Sequence, residues 1–321
     1  MKSMKKGIIC VLVCTLMIIS TIIPVSANTL SEKTFQPLAK GKTLYVGGVG
    51  PNNYTKIQDA VNASSNGYTV FVYGGMYNEN VVIEKSITLK GENKNTTIIS
   101  GPNTGAGVWI SSNRVRVQGF TIQTHNYEAV IFASVSFVVI SDNIIQNGIS
   151  LSKSQYNIIM RNNISDGWYG IDIYASSHSN ILIDNVLSYN KIGVILDYFD
   201  VRDNIVSRNI ITHNSLEGIL LRGCRYNLIT GNTIEENTLG IRLNQSRQNL
   251  IMRNNFLENQ QDAYFNCTTP LQDNRFLRNY WNQSLTHPKI IHGVTGDIRK
   301  SEWQNWIEID WLPASEPYVI P

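Results

Sequence analysis

The feature that most constrains this chain is a short pattern that returns every 20 to 24 residues through its middle. One element reads Asn-x-apolar-x-x-Asn, from Asn185 to Asn190, Asn209 to Asn214, Asn232 to Asn237, Asn254 to Asn259 and Asn274 to Asn279. Weaker copies start at Asn162, Asp142 and Phe120, so the eight starts are spaced by 22, 20, 23, 24, 23, 22 and 20 residues. A second element reads Gly-apolar-x-apolar, at Gly107, Gly148, Gly170, Gly193, Gly218 and Gly240, with Ala129 and Ala263 standing in. A third places Asn before a short apolar run, at Asn157, Asn180, Asn204, Asn227 and Asn249. A fixed order of short strands at this period describes units that bury a core only by stacking on one another.

Composition agrees with that reading. Of 321 residues, 36 are Asn and 41 are Ile, while charged residues make up only 16%. A disordered chain would be poor in apolar residues and rich in charge. A helical array would be rich in Ala, Glu, Lys and Leu. Ile suits strands and Asn suits turns with positive φ, so the fold class is all-β, a parallel β-solenoid of about ten coils. Alternate apolar residues such as Ile171 and Ile173, or Ile241 and Leu243, are expected to point inward and stack in columns. The Gly column should permit a tight corner or left-handed backbone. The Asn columns should form amide ladders from coil to coil.

The ends depart from the repeat, as solenoid caps must. Residues 54–61 carry Ile57, Ala60 and Val61 on one face, which predicts a short amphipathic capping helix. First-coil strands are expected at 69–73, 81–83, 86–89 and 97–99. Trp281, Trp303, Trp306 and Trp311 gather near the C-terminus and suggest an aromatic plug. Lys2, Lys5 and Lys6 precede an apolar run from Gly7 to Ile23 and the small residues Val25-Ser26-Ala27, the layout of an export signal, cleaved or kept as an anchor. The expected division is a signal segment 1–27, a linker 28–42 and one domain 43–321. Within that domain, 43–106 form the N-terminal cap and first coils, 107–279 the array and 280–321 the C-terminal cap. Without the signal segment the formal charge is 3 − 3 = 0, so no electrostatic case exists for nucleic acid or an anionic membrane. Cys224 and Cys267 should lie two coils apart in different columns, beyond bridging range, and stay as thiols.

Function should lie on the outer face of the Gly-apolar-x-apolar strand. Alternation gives a first outward column of Trp109, Ile131, Ser150, Asp172, Ile195, Leu220, Arg242 and Phe265. The second reads Ser111, Ala133, Ser152, Tyr174, Asp197, Arg222, Asn244 and Cys267. Asp172, Tyr174, Asp197, Arg222 and Arg242 then converge, flanked by Trp168, Tyr169 and Tyr198. Carboxylates, guanidinium groups and rings together suit sugar recognition. Asp172 and Asp197 would lie roughly 8 Å apart at Cα, from strand spacings, which a glycosidase pair could use. Arg222 and Tyr174 could instead serve a lyase or epimerase as charge neutraliser and proton donor. The plainest alternative is a surface ladder in which Asp197 and Arg222 pair across coils.

The segments Tyr54 to Val61, Val70 to Asn80 and Ile87 to Asn93 resemble the opening of pectin-lyase-like right-handed β-helices. The Asn-x-Ile repeats, with Asn279-Tyr280-Trp281 and Ile309 to Tyr318, resemble the NosD-like branch of that superfamily in secreted archaeal and bacterial proteins. The resemblance implies a single-stranded right-handed parallel β-helix over roughly 43–321. It leaves activity open, because this fold hosts lyases, hydrolases, epimerases and accessory proteins.

The NosD name implies copper delivery to nitrous oxide reductase. The sequence offers His125, His178, His213, His287 and His292 with Met76, Met160 and Met252, and no dense soft-ligand cluster; His287 and His292 come closest. No metal site and no cofactor is expected. Tyr169-Gly170-Ile171-Asp172 echoes the start of the alginate-epimerase motif but lacks its Pro-His-Asp. The paired Asp and Gly-His-Gly of polygalacturonases and the acidic calcium cluster of pectate lyases are missing too. The expectation is an exported, noncatalytic surface protein that binds or organises an extracellular polysaccharide or cell-envelope glycan. The alternative is a polysaccharide lyase, epimerase or glycosidase at the same face, and a further one, implied by the resemblance, is a NosD-type copper accessory protein. Sequons outside the array, at Asn53, Asn62, Asn95 and Asn282, could carry glycans; Asn163, Asn244 and Asn266 fall inside it.

Overall fold

A three-residue strand cannot bury a core alone, so each one pairs with its counterpart a coil away. In the computed structural model, which describes residues 41–101, 105–124, 131–198, 200–268, 274–283, 285, 287–297 and 302–320, this pairing builds three sheets. The export segment and nearly all of the linker lie outside the described residues, as does His125. The first sheet has 11 strands, from Thr43–Val46 to Arg275–Leu277, and the second has 10, from Gly75–Tyr77 to Tyr280–Trp281. The third has 11, from Val81–Ile83 to Glu302–Asp310. One coil visits them in turn, for example through Ile158–Met160, Asn163–Ser165 and Tyr169–Tyr174. Pairing is parallel except between the last two strands, Lys289–Asp297 and Glu302–Asp310, which form an antiparallel hairpin. The fold is a right-handed parallel β-helix of about ten turns. Inward columns such as Ile159, Leu182, Val206, Ile229 and Ile251 are buried and fill one continuous core.

The Asn columns are hydrogen-bonded ladders. Asn185 is typical: its Nδ2 donates to Asn209 Oδ1 at 3.0 Å and to the Ile159 carbonyl at 2.9 Å. Its Oδ1 accepts from the backbone N–H and the Nδ2 of Asn162, both at 3.0 Å. One ladder runs Asn143, Asn162, Asn185, Asn209, Asn232, Asn254, Asn279. A second runs from Asn157 to Asn274, and a third from Asn190 to Asn259. A buried amide with every donor and acceptor used is stabilising, whereas an unsatisfied one would cost about 1–3 kcal/mol.

Three details differ from the sequence expectation. The register puts Asn143, not Asp142, in the first ladder, with Phe120 one coil before it, its N–H given to Asn143 Oδ1. Asn274 sits under Asn249 and Asn279 under Asn254, one column earlier than their spacing suggests. Ladder partners stand 25 residues apart there and 22 in the coil before, so both Asn shift together. The positive φ belongs to the residue before each ladder Asn, such as Asp184 (57°) and Arg208 (52°), rather than to the Asn itself. These left-handed corners project their side chains outward, and Arg208 forms a bidentate pair with Asp184, at 2.7 Å for both bonds.

The Gly column is explained by crowding more than by φ. A Cβ on Gly193 would lie 2.6 Å from the Gly218 carbonyl oxygen, and one on Gly240 would lie 2.5 Å from that of Asp262. That second contact shows that Asp262, not Ala263, holds the glycine slot in its coil. Ala263 pairs with Ile241 and faces the core. The slot is fixed by strand register, not by side-chain size.

The capping helix spans Ile57–Ala63, with Ile57, Ala60 and Val61 buried. Its first two N–H groups, from Ile57 and Gln58, donate to the Glu79 carboxylate at 2.8 and 2.9 Å. A distant carboxylate thus replaces a local N-cap. Of the C-terminal tryptophans, Trp281 is the plug: it is buried and stacks on Phe256 with ring centroids 4.5 Å apart. Trp306 and Trp311 are exposed on or beyond the hairpin and take no part in that plug. The hairpin closes the stack chiefly through Asp310, whose carboxylate ends the first ladder.

Candidate functional site

The outward face of the third sheet holds the unusual polar chemistry. Here alternation is read from the register, not from spacing. Ser150, Asp172, Ile195, Leu220, Arg242 and Tyr264 form one outward column, and Ser152, Tyr174, Asp197, Arg222, Asn244 and Asn266 the next. Phe265 pairs with inward Leu243, Cys267 lies one residue beyond outward Asn266 and pairs with Thr295, and both are buried, which corrects their outward assignment. Ile131 and Ala133 likewise pair with Val108 and Ile110, so the register places Phe132 beside Trp109. In both coils the error is one residue, and a one-residue slip moves a strand's side chains to the opposite face.

This face carries its own small apolar floor. Ile192, Ile195 and Leu220 cluster outside the core, with Tyr169 packed on them. Against that floor Arg222 donates from Nε to Asp197 Oδ1 at 2.6 Å and from Nη2 to Asp197 Oδ2, a bidentate pair across adjacent coils. Asp197 is only 5% exposed. The guanidinium carbon of Arg222 stands 4.7 Å from the ring centroid of Tyr198, which is 54% exposed. Hydrogen bonding to Asp197 holds the Arg222 proton more firmly than usual. The cross-coil Asp–Arg ladder expected from sequence is therefore present.

Asp172 behaves differently. Its Oδ1 is buried and makes no hydrogen bond. Burial pushes its carboxyl up to about 7, the Asp197 charge adds to that rise, and Arg222 opposes it. A carboxyl in this state carries a proton near neutrality and can donate it. Arg242 does not join the group. It donates from Nε to Glu217 Oε1 at 2.7 Å and lies 5.6 Å from the Tyr264 ring centroid. Glu217, Tyr264 and Lys191 are the residues that sequence reasoning missed. Glu217 stands directly before Gly218, where neighbouring coils hold the uncharged Tyr169, Ile192 and Leu239; that contrast was its signal. Lys191 places its Nζ 3.4 Å from the centroid of Trp168, which is 47% exposed. Tyr174 is half-buried next to Asp197 by register.

Soft-metal chemistry finds no assembled donor set among the described residues, which contain no group of three or more His, Cys, Asp or Glu suited to a metal ion. His213 pairs with Glu236 at 2.7 Å, and His178 Nδ1 lies 3.2 Å from Ser179 Oγ. Cys224 and Cys267 are buried thiols, not joined to each other, and burial pushes Cys224 up to about 12. Met160 and Met252 lie four coils apart on the first sheet. These donors do not fit a copper ion. At the sequons Asn62, Asn95 and Asn282 are exposed, whereas Asn53 donates its Nδ2 to the Gly47 carbonyl at 2.5 Å.

A stacked parallel solenoid with rings and paired charges along one sheet defines the class: a β-helix repeat protein. The particular lineage follows from comparison. Residues 41–295 match the family described as periplasmic copper-binding protein (NosD), and the chain belongs to that family. A cell surface glycoprotein of Methanothermus fervidus is 30% identical over 152 residues, 43% of this chain. The match spans 25% of that longer relative. Among solved structures, XylC in complex with xylose is similar at a TM-score of 0.60 and 12% identity, covering 78% of this chain and 71% of that one. The catalytic domain of a GH87 alpha-1,3-glucanase in complex with nigerose gives 0.56 and 13%, covering 78% and 61%. The A-module of the Azotobacter vinelandii mannuronan C-5 epimerase AlgE6 gives 0.54 and 14%, covering 71% and 83%. At these identities the likeness concerns the fold alone.

Proposed function

We propose that this chain is an exported, noncatalytic cell-surface β-helix that holds an extracellular glycan, uncharged in its sugars, along the outer face of its third sheet. One observation carries the reading: Asp197 and Arg222 form a bidentate pair beside the exposed ring of Tyr198 and the unpartnered carboxyl of Asp172. Tyr198 and Trp168 offer rings to the apolar faces of sugars. Asp172, protonated, offers a donor to a hydroxyl, and the half-exposed edge of Arg222, fixed by buried Asp197, offers another donor. Arg222 and Arg242 are each matched by a carboxylate one coil away, so no guanidinium is left over to meet a uronate. Export is supported by the basic-apolar-small leader, and a surface location by the name of the Methanothermus relative. The copper in the family's description gains no support from the donors.

The test is binding to immobilised neutral polysaccharides and to polyuronates. Retention on a neutral glycan, weakened at least tenfold by Tyr198→Ala and by Arg222→Ala, is the expected result. Preference for a polyuronate would overturn the neutral-sugar reading, and no retention on any glycan would overturn the binding reading.

A second reading rests on Asp172 alone. A carboxyl that keeps its proton to about pH 7 is suited to acid–base catalysis. Asp197 and Glu217 are held by arginines, so a glycosidase's two working carboxyls are not both available, and a lyase or epimerase is the form this reading takes. Unsaturated chain ends or inverted uronates, appearing with the wild type and abolished by Asp172→Asn, would favour it.

A further inference from the structure

The third sheet offers a glycan two paths, along the solenoid axis or across the coils with the strands, and burial separates them. Along the axis, Asp172 is preceded in its column by Ser150 and followed by Ile195 and Leu220, which are only 6%, 1% and 6% exposed. A chain lying on that column meets almost no accessible side chain. Across the coils the surface differs. Exposed Trp168 stands directly before the strand Tyr169–Tyr174, and exposed Tyr198 directly follows the strand Ile192–Asp197. The two strands are neighbours with Tyr174 opposite Asp197, so the rings mark opposite ends of one line over the same pair of coils. Each ring is braced by a cation, Lys191 Nζ at 3.4 Å from the Trp168 centroid and the Arg222 guanidinium carbon at 4.7 Å from that of Tyr198. A cation on one face holds a ring in place and leaves the opposite face for a sugar. Between the rings stand Asp172 with its unbonded Oδ1, half-buried Tyr174 and the half-exposed edge of Arg222.

Granted that this face holds a neutral glycan, we propose that the glycan lies across the coils, stacked on Trp168 at one end and Tyr198 at the other, and that the site selects a linear stretch of several sugars over single sugars and short oligomers. The length follows from the register. Tyr198 lies level with residue 175, seven residues from Trp168. At ~3.3 Å per strand residue the span is about 23 Å, room for about four or five sugars in an extended chain. Two stacking contacts that far apart behave as linked half-sites. A short oligosaccharide reaches only one of them, whereas a longer one meets the second at high effective concentration. The polar groups between the rings then fix the hydroxyls of the middle sugars.

The test is a displacement series on the full chain. Cellulose, chitin, xylan and mannan are immobilised, and the matching oligosaccharides of one to seven sugars compete for the protein on whichever retains it. Inhibition should strengthen at least tenfold between the disaccharide and the pentasaccharide and stay level beyond it. Trp168→Ala and Tyr198→Ala should each weaken the pentasaccharide at least fivefold and flatten the series. Trp109→Ala and Tyr264→Ala, whose residues the register places on the axial path, should leave it unchanged. A single sugar or disaccharide that competes as well as the pentasaccharide would overturn the proposal while glycan binding stands. So would a series shortened by Trp109→Ala or Tyr264→Ala and not by Trp168→Ala. If a ring variant fails to fold, the wild-type length series still decides. No retention on any of the four polysaccharides would bring down the glycan reading and this inference with it.

Discussion

Asp310 gives the sharpest test of how this stack ends. In every Asn ladder the amide donates toward the C-terminus, so the last member needs a neighbour that only accepts. The hairpin brings a carboxylate to that point. Asp310 is fully buried; its Oδ2 accepts from Asn279 N–H at 2.9 Å, Asn279 Nδ2 at 3.1 Å and Trp281 Nε1 at 3.1 Å. Its Oδ1 accepts from Arg278 N–H at 2.9 Å and Leu312 N–H at 3.3 Å. Asp310→Ala would orphan at least the three buried donors on Oδ2. At about 1–3 kcal/mol for each, and with some rehydration at the chain end, the loss is about 3–6 kcal/mol. Asp310→Asn keeps one oxygen for Asn279 but turns an N–H₂ group toward other N–H donors, for a smaller loss of about 1–2 kcal/mol. Hydrogen exchange of peptides covering 274–283, with urea unfolding beside it, measures both. Protection should fall steeply in the Ala variant, modestly in the Asn variant, and little near Asn162. Unchanged protection at Asn279 and Trp281 in the Ala variant, or equal damage from Asn, would refute the directional ladder.

Three further outcomes follow from the same geometry. Gly193→Ala should destabilise by roughly 1–3 kcal/mol, because the new Cβ meets the Gly218 carbonyl oxygen and Ile211 Cγ2 at 2.6 Å and neither strand can move alone; a thermal melt within 1 °C of wild type would contradict it. Asp172 titrates near 7 in the folded protein and near 4 when unfolded, so the native state binds the extra proton between those values. Wild-type stability should therefore fall relative to Asp172→Asn as pH rises from about 4 to 7, with no further divergence above; urea midpoints across that range test the sign. Asn209→Ala, in mid-ladder, removes the acceptor of Asn185 and the donor to Asn232 and the Leu182 carbonyl, for about 2–4 kcal/mol in the same urea assay.

The stack was legible in the sequence because its causes are local and repeated. An amide that must bond to its copy one coil away recurs as Asn, and a core position recurs as Ile or Leu. What the residues did not reveal are facts of registration. Asn274 and Asn279 keep the local spacing of the repeat yet belong one column earlier, since 25 residues separate them from their ladder partners. Ala263 looks like a glycine substitute, but the register that pairs it with Ile241 leaves Asp262 in the glycine slot. The same limit explains the candidate site. Asp197 and Arg222 lie 25 residues apart at matching places in neighbouring coils, so their pairing could be inferred. Arg242 occupies an equally plausible place, yet it bends to Glu217, because a carboxylate one coil away on its own strand face is nearer than Asp197, two coils away. Cross-coil electrostatics resolve to adjacent coils. Asp172 has Ser150 and Ile195 as its adjacent-coil neighbours and so is left without a cation of its own. Burial raises its affinity for a proton, the Asp197 charge adds to that rise, and Arg222, which is already paired with Asp197, offsets only part of it. Replacing Ile195 with Arg would supply the missing partner, lower the Asp172 pKa and remove the pH dependence of stability, while an unchanged profile would show that burial alone sets it.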